Sequence, residues 1–172
     1  LGSEGRHEQT ISTDQDNALI LADGEVPANV AAFAREMNDA LDQCGFPLCK
    51  GNIMASNPEL ALPLAGWREK FAGWIDRGSP QALLSANIFF DLRPLWGDAR
   101  LAEALRADVL ERAAATPRFL KQLADNALDT EPPLNWLGNL AATEDIDGRQ
   151  VIDLKRYGIR PFVDAARVLA LA

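Results

Sequence analysis

The sequence predicts an α/β front half, with a small mixed sheet flanked by helices, joined to an α-helical back half. Three observations carry this. The run Asn17-Ala18-Leu19-Ile20-Leu21 is short and apolar and is broken by Asp23-Gly24, the signature of a buried strand. Apolar residues recur at helical spacing over much of the remaining chain. Prolines stand where such stretches begin, as their fixed φ and missing N–H favour. With 172 residues, 48% of them hydrophobic, the chain can bury a sizeable core, as one domain or two small ones.

Taken in order, Pro27 opens a helix whose apolar positions are Val30, Phe33, Met37 and Leu41 and which closes near Gly45. Phe46 to Cys49 is expected to be extended, with Gly51 to Met54 as the return strand of a hairpin. From Pro58 to Asp76 the pattern is helical, and Leu60, Leu64, Trp67, Phe71 and Trp74 lie along one side. Aromatic residues at that spacing build a core far more often than a platform for stacking bases. Arg77-Gly78-Ser79-Pro80 is the clearest break, with Ser79 as N-cap and Pro80 at the first helical position. After a short helical piece, Ala86 to Leu92 reads as extended and Arg93-Pro94 ends it. A helix is expected from Asp98 to Ala115, and another from Thr116-Pro117 to Leu128, where Glu131-Pro132-Pro133 forbids continuation. Asp145 to Gly148 is a turn, Val151 to Leu154 a short strand, and Pro161 starts a terminal helix. No internal repeat or low-complexity segment is visible. We place the domain boundary between residues 1–78 and 79–172.

The formal net charge of −8 argues against a nucleic-acid partner, since phosphate backbones demand clustered Lys and Arg. The main basic concentration is Lys155, Arg156, Arg160 and Arg167; it reads as a solvated face, or as a patch that closes over phosphates or docks an acidic partner. No apolar run approaches a membrane span and no signal peptide opens the chain. Cys44 and Cys49 lack metal-type spacing, and the single His7 cannot complete a zinc site, so a reduced, cytoplasmic setting with two ordinary thiols is expected. The chain starts on Leu1-Gly2-Ser3 without Met, which reads as a piece cut from a longer protein.

The chemistry concentrates at the start, in Gly2-Ser3-Glu4-Gly5-Arg6-His7-Glu8 followed by Thr13-Asp14-Gln15-Asp16. Small residues let backbone N–H groups approach phosphate oxygens closely, and Arg6 adds a planar donor fork. Asp14 and Asp16, spaced i, i+2, project from one face of an extended segment. Mg²⁺ takes one or two protein carboxylates, several waters and the substrate's own phosphates, so this pairing suits Mg²⁺-dependent phosphoryl chemistry. Glu8 is expected to brace the loop, and His7 to be an exposed loop residue.

The string GSEGRHEQTISTDQDNALI resembles the nucleotidyltransferase domain of the polymerase-β-like superfamily, and more narrowly the DUF294 nucleotidyltransferases related to protein-PII uridylyltransferase. FPLCKGNIMASNP, IFFDLRPLWGD and DLKRYGIRPFVDAARVLAL are also similar to that family, the later stretches to its helical substrate-binding C-terminal domain. The resemblance implies that Gly2, Ser3 and Gly5 hold the β- and γ-phosphates of an NTP, that Arg6 offsets their charge, and that Asp14 and Asp16 bind one or two Mg²⁺ ions. An acceptor hydroxyl then takes the NMP group and pyrophosphate leaves. The acceptor is a protein or small molecule, with a PII-like signalling protein in bacterial signal transduction as the named case and regulatory domains upstream. Many members carry a third carboxylate on a later strand; Pro47-Leu48-Cys49-Lys50-Gly51 offers none. Asp91 is the substitute, or else the partner of Arg93. The alternative is a non-catalytic nucleotide-binding regulatory module; a third reading is a purely helical protein-interaction domain.

Overall fold

The computed structural model describes residues 1–10 and 13–172. Ile11 and Ser12, inside the opening string, lie outside the described residues. The chain forms two compact units, Leu1–Arg112 and Ala113–Ala172. As the sequence led us to expect, α/β structure at the front gives way to a helical C-terminal region.

The first unit opens with a single helical turn, α1 (Gly2–Gly5), and an irregular stretch that enters β1 (Leu19–Leu21). A crossover through α2 (Val30–Gln43) returns the chain to β2 (Ala61–Pro63). β2 lies parallel to β1, with Leu19 opposite Ala61 and Leu21 opposite Pro63. A parallel pair needs such a crossover, because a tight turn can join only antiparallel strands. α3 (Leu64–Arg77), α4 (Pro80–Phe89) and α5 (Ala99–Ala114) come next.

The core of this unit joins Leu60, Leu64, Trp67 and Phe71 with Phe89 and Leu92, and with Ala102, Leu105 and Val109 of α5. Trp67 and Phe71 are core residues, as their spacing predicts, and Trp74 packs half-buried against them with its ring stacked on Phe89 at 5.1 Å. The Trp67 indole N–H donates to the Leu19 carbonyl at 2.8 Å, so the largest core side chain also pins β1.

In the second unit α6 (Pro117–Leu128) packs against α7 (Arg160–Leu171). Between them lie an antiparallel hairpin, β3 (Glu144–Ile146) and β4 (Arg149–Val151), and a π-helical turn (Lys155–Ile159). The hairpin turn is held where Asp145 and Gly148 predict it, with Asp145 Oδ1 accepting from the Gly148 N–H at 2.8 Å.

Several elements differ from expectation, each for a physical reason. Residues 46–54 form no hairpin; Pro47 and Ile53 instead lend their carbonyls to Gln15 and Asn17, each at 3.0 Å, and Asn52 turns through a left-handed φ of 57°. Pro58 to Asp76 is not one helix: a 3₁₀ turn at Pro58–Leu60, capped by Asn57, and β2 precede α3. Ala86 to Leu92 is not a strand. The Ser79 cap, whose hydroxyl accepts from the Ala82 N–H at 3.2 Å, launches a helix that runs on to Phe89 and buries Ala82, Ala86 and Phe89 on one side. The late strand is Arg149–Val151 rather than Val151 to Leu154. The basic concentration is divided too: Arg167 is buried and bonded to Asp164 at 2.6 Å, and Arg160 reaches the same carboxylate at 3.3 Å, while Lys155 and Arg156 are exposed.

Candidate functional site

The Gly-Ser bend is a tight helical turn in which the Gly5 and Arg6 N–H groups donate to the Leu1 and Gly2 carbonyls at 3.3 and 3.2 Å. Ser3 accepts from the Glu8 N–H at 2.8 Å through its carbonyl, which folds the following residues back over the turn. Gly2 sits at φ +56°, where a side chain is strained, and a Cβ there would lie 3.7 Å from Asp16 Oδ2. The Leu1 nitrogen donates to the Asp16 carbonyl at 2.9 Å. The structure therefore brings the bend and the Asp16 carboxylate side by side. Asp14 is exposed two residues earlier.

Gly5 is a glycine for a different reason. Any Cβ there would run into the Asp91 carbonyl and stand 2.6 Å from its carbon, so two backbones touch at this point. That contact sets α1 against the segment after α4, and two ion pairs cross it. Arg6 pairs with Asp91 through Nη1 and with Glu8 through Nε at 2.8 Å; Arg93 pairs with the Glu4 carboxylate and donates from Nε to the Glu4 carbonyl at 3.2 Å. Burial alone would lower the Arg6 pKa, but its bonds to Glu8 and Asp91 outweigh that and raise it. Asp91 is therefore the counter-ion of Arg6, and Glu8 braces the loop as expected. His7 is exposed, at φ 59°.

Beside Asp16, where a third acid is expected, stands Cys49, close enough for its thiol to feel the Asp16 carboxylate. Burial pushes the thiol pKa up, and Asp16 adds to that against two lowering backbone hydrogen bonds. Among the described residues no three His, Cys, Asp or Glu side chains gather to hold a metal ion. The donors that are present, one half-buried carboxylate facing a glycine turn and one exposed carboxylate, suit a hard cation completed by water and phosphate oxygens.

Sequence reasoning missed the residues that hold Asp16 in place. Gln15 is buried between the two acids, and its amide donates to the Asn38 and Phe46 carbonyls at 2.9 and 2.8 Å. Asn38 of α2, 1% exposed, donates to Gln15 Oε1 at 2.7 Å and to Asn17 Oδ1 at 3.0 Å, and accepts from the Ser56 N–H at 2.9 Å. Asn17 Oδ1 also accepts from the Ala55 N–H at 2.9 Å. An asparagine inside an otherwise apolar helical stripe is the signal that was available.

Two comparisons with family models assign this architecture. The family described as "Putative nucleotidyltransferase DUF294" matches residues 1–81, which hold the turn, the acid pair and the parallel strands. Its companion, described as "Putative nucleotidyltransferase substrate binding domain", matches residues 117–172. The chain belongs to the DUF294 family of nucleotidyltransferases. No curated protein and no solved structure matches it. Among the described residues no helix is long and apolar enough to cross a membrane.

Proposed function

We propose that this chain transfers a nucleoside monophosphate from an NTP to an acceptor hydroxyl with the help of Mg²⁺, as a protein-PII uridylyltransferase does, in bacterial signal transduction. The observation that supports this reading is the adjacency of the Asp16 carboxylate to the Gly2 turn. In the reaction, the acceptor oxygen bonds to the α-phosphorus as the bond to the bridging β-phosphate oxygen breaks. Pyrophosphate leaves, and the hydroxyl proton passes to solvent. Asp14 and Asp16 would hold Mg²⁺, which when bound neutralises the triphosphate and the charge that develops on it. Gly2 leaves room for phosphate beside Asp16, and the Ser3 hydroxyl donates to its oxygens. A guanidinium has five donors, so Arg6 keeps some beyond those held by Glu8 and Asp91 to offer to the triphosphate. Asp91 enters as the residue that orients Arg6.

The test is incubation of the protein with labelled NTPs, Mg²⁺ and candidate protein or small-molecule acceptors. Pyrophosphate release is expected, and Asp14→Asn or Asp16→Asn should each lower it by about 100-fold or more, the scale of losing a group that stabilises transition-state charge. Release unchanged in both variants would sink the reading.

One observation favours a second reading, a non-catalytic nucleotide-binding regulatory module: the group beside Asp16 is the Cys49 thiol and not a third carboxylate. NTP binding that needs Asp16, with no turnover on any acceptor, is the outcome that selects it.

A further inference from the structure

We infer that Asn38, with Gln15 and Asn17, is a positioning device that sets the direction of Asp14 and Asp16, an inference that rests on reading the two acids as a metal site. Residues 14–17 belong to an irregular stretch with no sheet partner to fix its register. Side chains of an extended segment alternate between two sides, so anchoring 15 and 17 on one side directs 14 and 16 to the other. The anchoring is complete at both levels. The Gln15 and Asn17 N–H groups donate to Pro47 and Ile53 at 3.0 Å each, and both side-chain amides meet at Asn38.

Asn38 is well placed to do this. It is nearly fully buried, its Nδ2 donates to both Gln15 and Asn17, and its Oδ1 takes the Ser56 N–H. An apolar residue at this helix position would fill space without choosing a direction for its neighbours, whereas a fully bonded amide admits one arrangement. Carboxylates that share a metal must be held within about 0.5 Å, and hydrogen-bonded supporting groups do that holding.

Binding of Mn²⁺–tripolyphosphate to the full chain, followed by electron paramagnetic resonance, is the experiment, because this probe needs neither a base nor an acceptor. Asn38→Ser is compared with Val109→Ala, a core change in α5 remote in sequence from the acids, at matched loss of thermal stability. Asn38→Ser should weaken binding by about 10- to 100-fold, as loss of a supporting partner does, while Val109→Ala stays within about twofold of the parent. Should Asn38→Ser not fold, Asn17→Ala carries the same expectation. Asp16→Asn is the reference arm. Binding lost in Asp16→Asn but equal in Asn38→Ser and Val109→Ala overturns the positioning role alone. Binding intact in Asp16→Asn overturns the metal reading and this inference with it.

Discussion

At the scale of single residues, the two glycines of the opening turn have separate jobs, and that of Gly5 can be probed directly. Gly5→Ala drives a methyl group into the backbone of Asp91, which cannot yield as a flexible side chain would. Such overpacking should cost about 2 kcal/mol or more, read as a lower denaturation midpoint. Cys49 gives a pH-dependent readout. Its folded-state pKa is raised by burial and then by Asp16, so the thiolate forms more readily in the unfolded chain. The stability this group contributes is therefore present below the ordinary thiol value of 9.0 and is lost as pH rises from there through the folded value. Cys49→Ser should flatten that part of the stability profile. Alkylation at mildly alkaline pH should label exposed Cys44 well before Cys49.

At the scale of elements, α7 is unusual in burying an ion pair. Asp164 and Arg167 are 6 and 7% exposed, while Phe162 and Leu169 of the same helix face outward. Removing one partner strands a buried charge, so Asp164→Ala should destabilise the second unit by about 3 kcal/mol or more; replacing both residues with apolar ones of similar volume should cost far less. Thermal denaturation of the two variants makes the comparison. For α4, Ser79→Ala removes one cap and should cost about 1 kcal/mol.

What could be read from the sequence at this scale was local. Ser79-Pro80, Thr116-Pro117 and Asp145–Gly148 announce helix starts and a turn through their own chemistry, and each stands where expected. Ala86 to Leu92 misled because its aromatic and branched residues resemble a strand, yet Ala82, Ala86 and Phe89 already carried helical spacing. The hairpin expected over residues 46–54 does not form because Pro47 and Ile53 offer their carbonyls to Gln15 and Asn17, partners that local composition does not reveal. Of the candidate site, the turn and the acids were visible as residue types. The bond between Arg6 and Asp91 and the partners that Asn38 finds in Gln15 and Asn17 depend on contacts distant in sequence, which no spacing rule encodes.

At the scale of the whole molecule, the net charge of −8 is a statement about partners. Of the basic concentration, Arg160 and Arg167 are already engaged by Asp164, which leaves Lys155 and Arg156 to meet a polyanion. Fluorescence anisotropy with single- and double-stranded oligonucleotides should therefore detect no binding even at low salt, where electrostatic attraction is strongest. Saturable binding there would remove the charge argument.

The contact of Gly5 with Asp91, together with the flanking ion pairs of Arg6 and Arg93, ties together residues 85 to 89 positions apart. During synthesis the Gly-Ser turn leaves the ribosome well ahead of the groups that brace it, which emerge only after most of the first unit. Closing so long a loop is entropically slow to nucleate, so this corner should be among the last parts of the unit to settle. A nascent chain stalled before Asp91 would then carry the Gly-Ser turn and both acids without the partners that brace the turn.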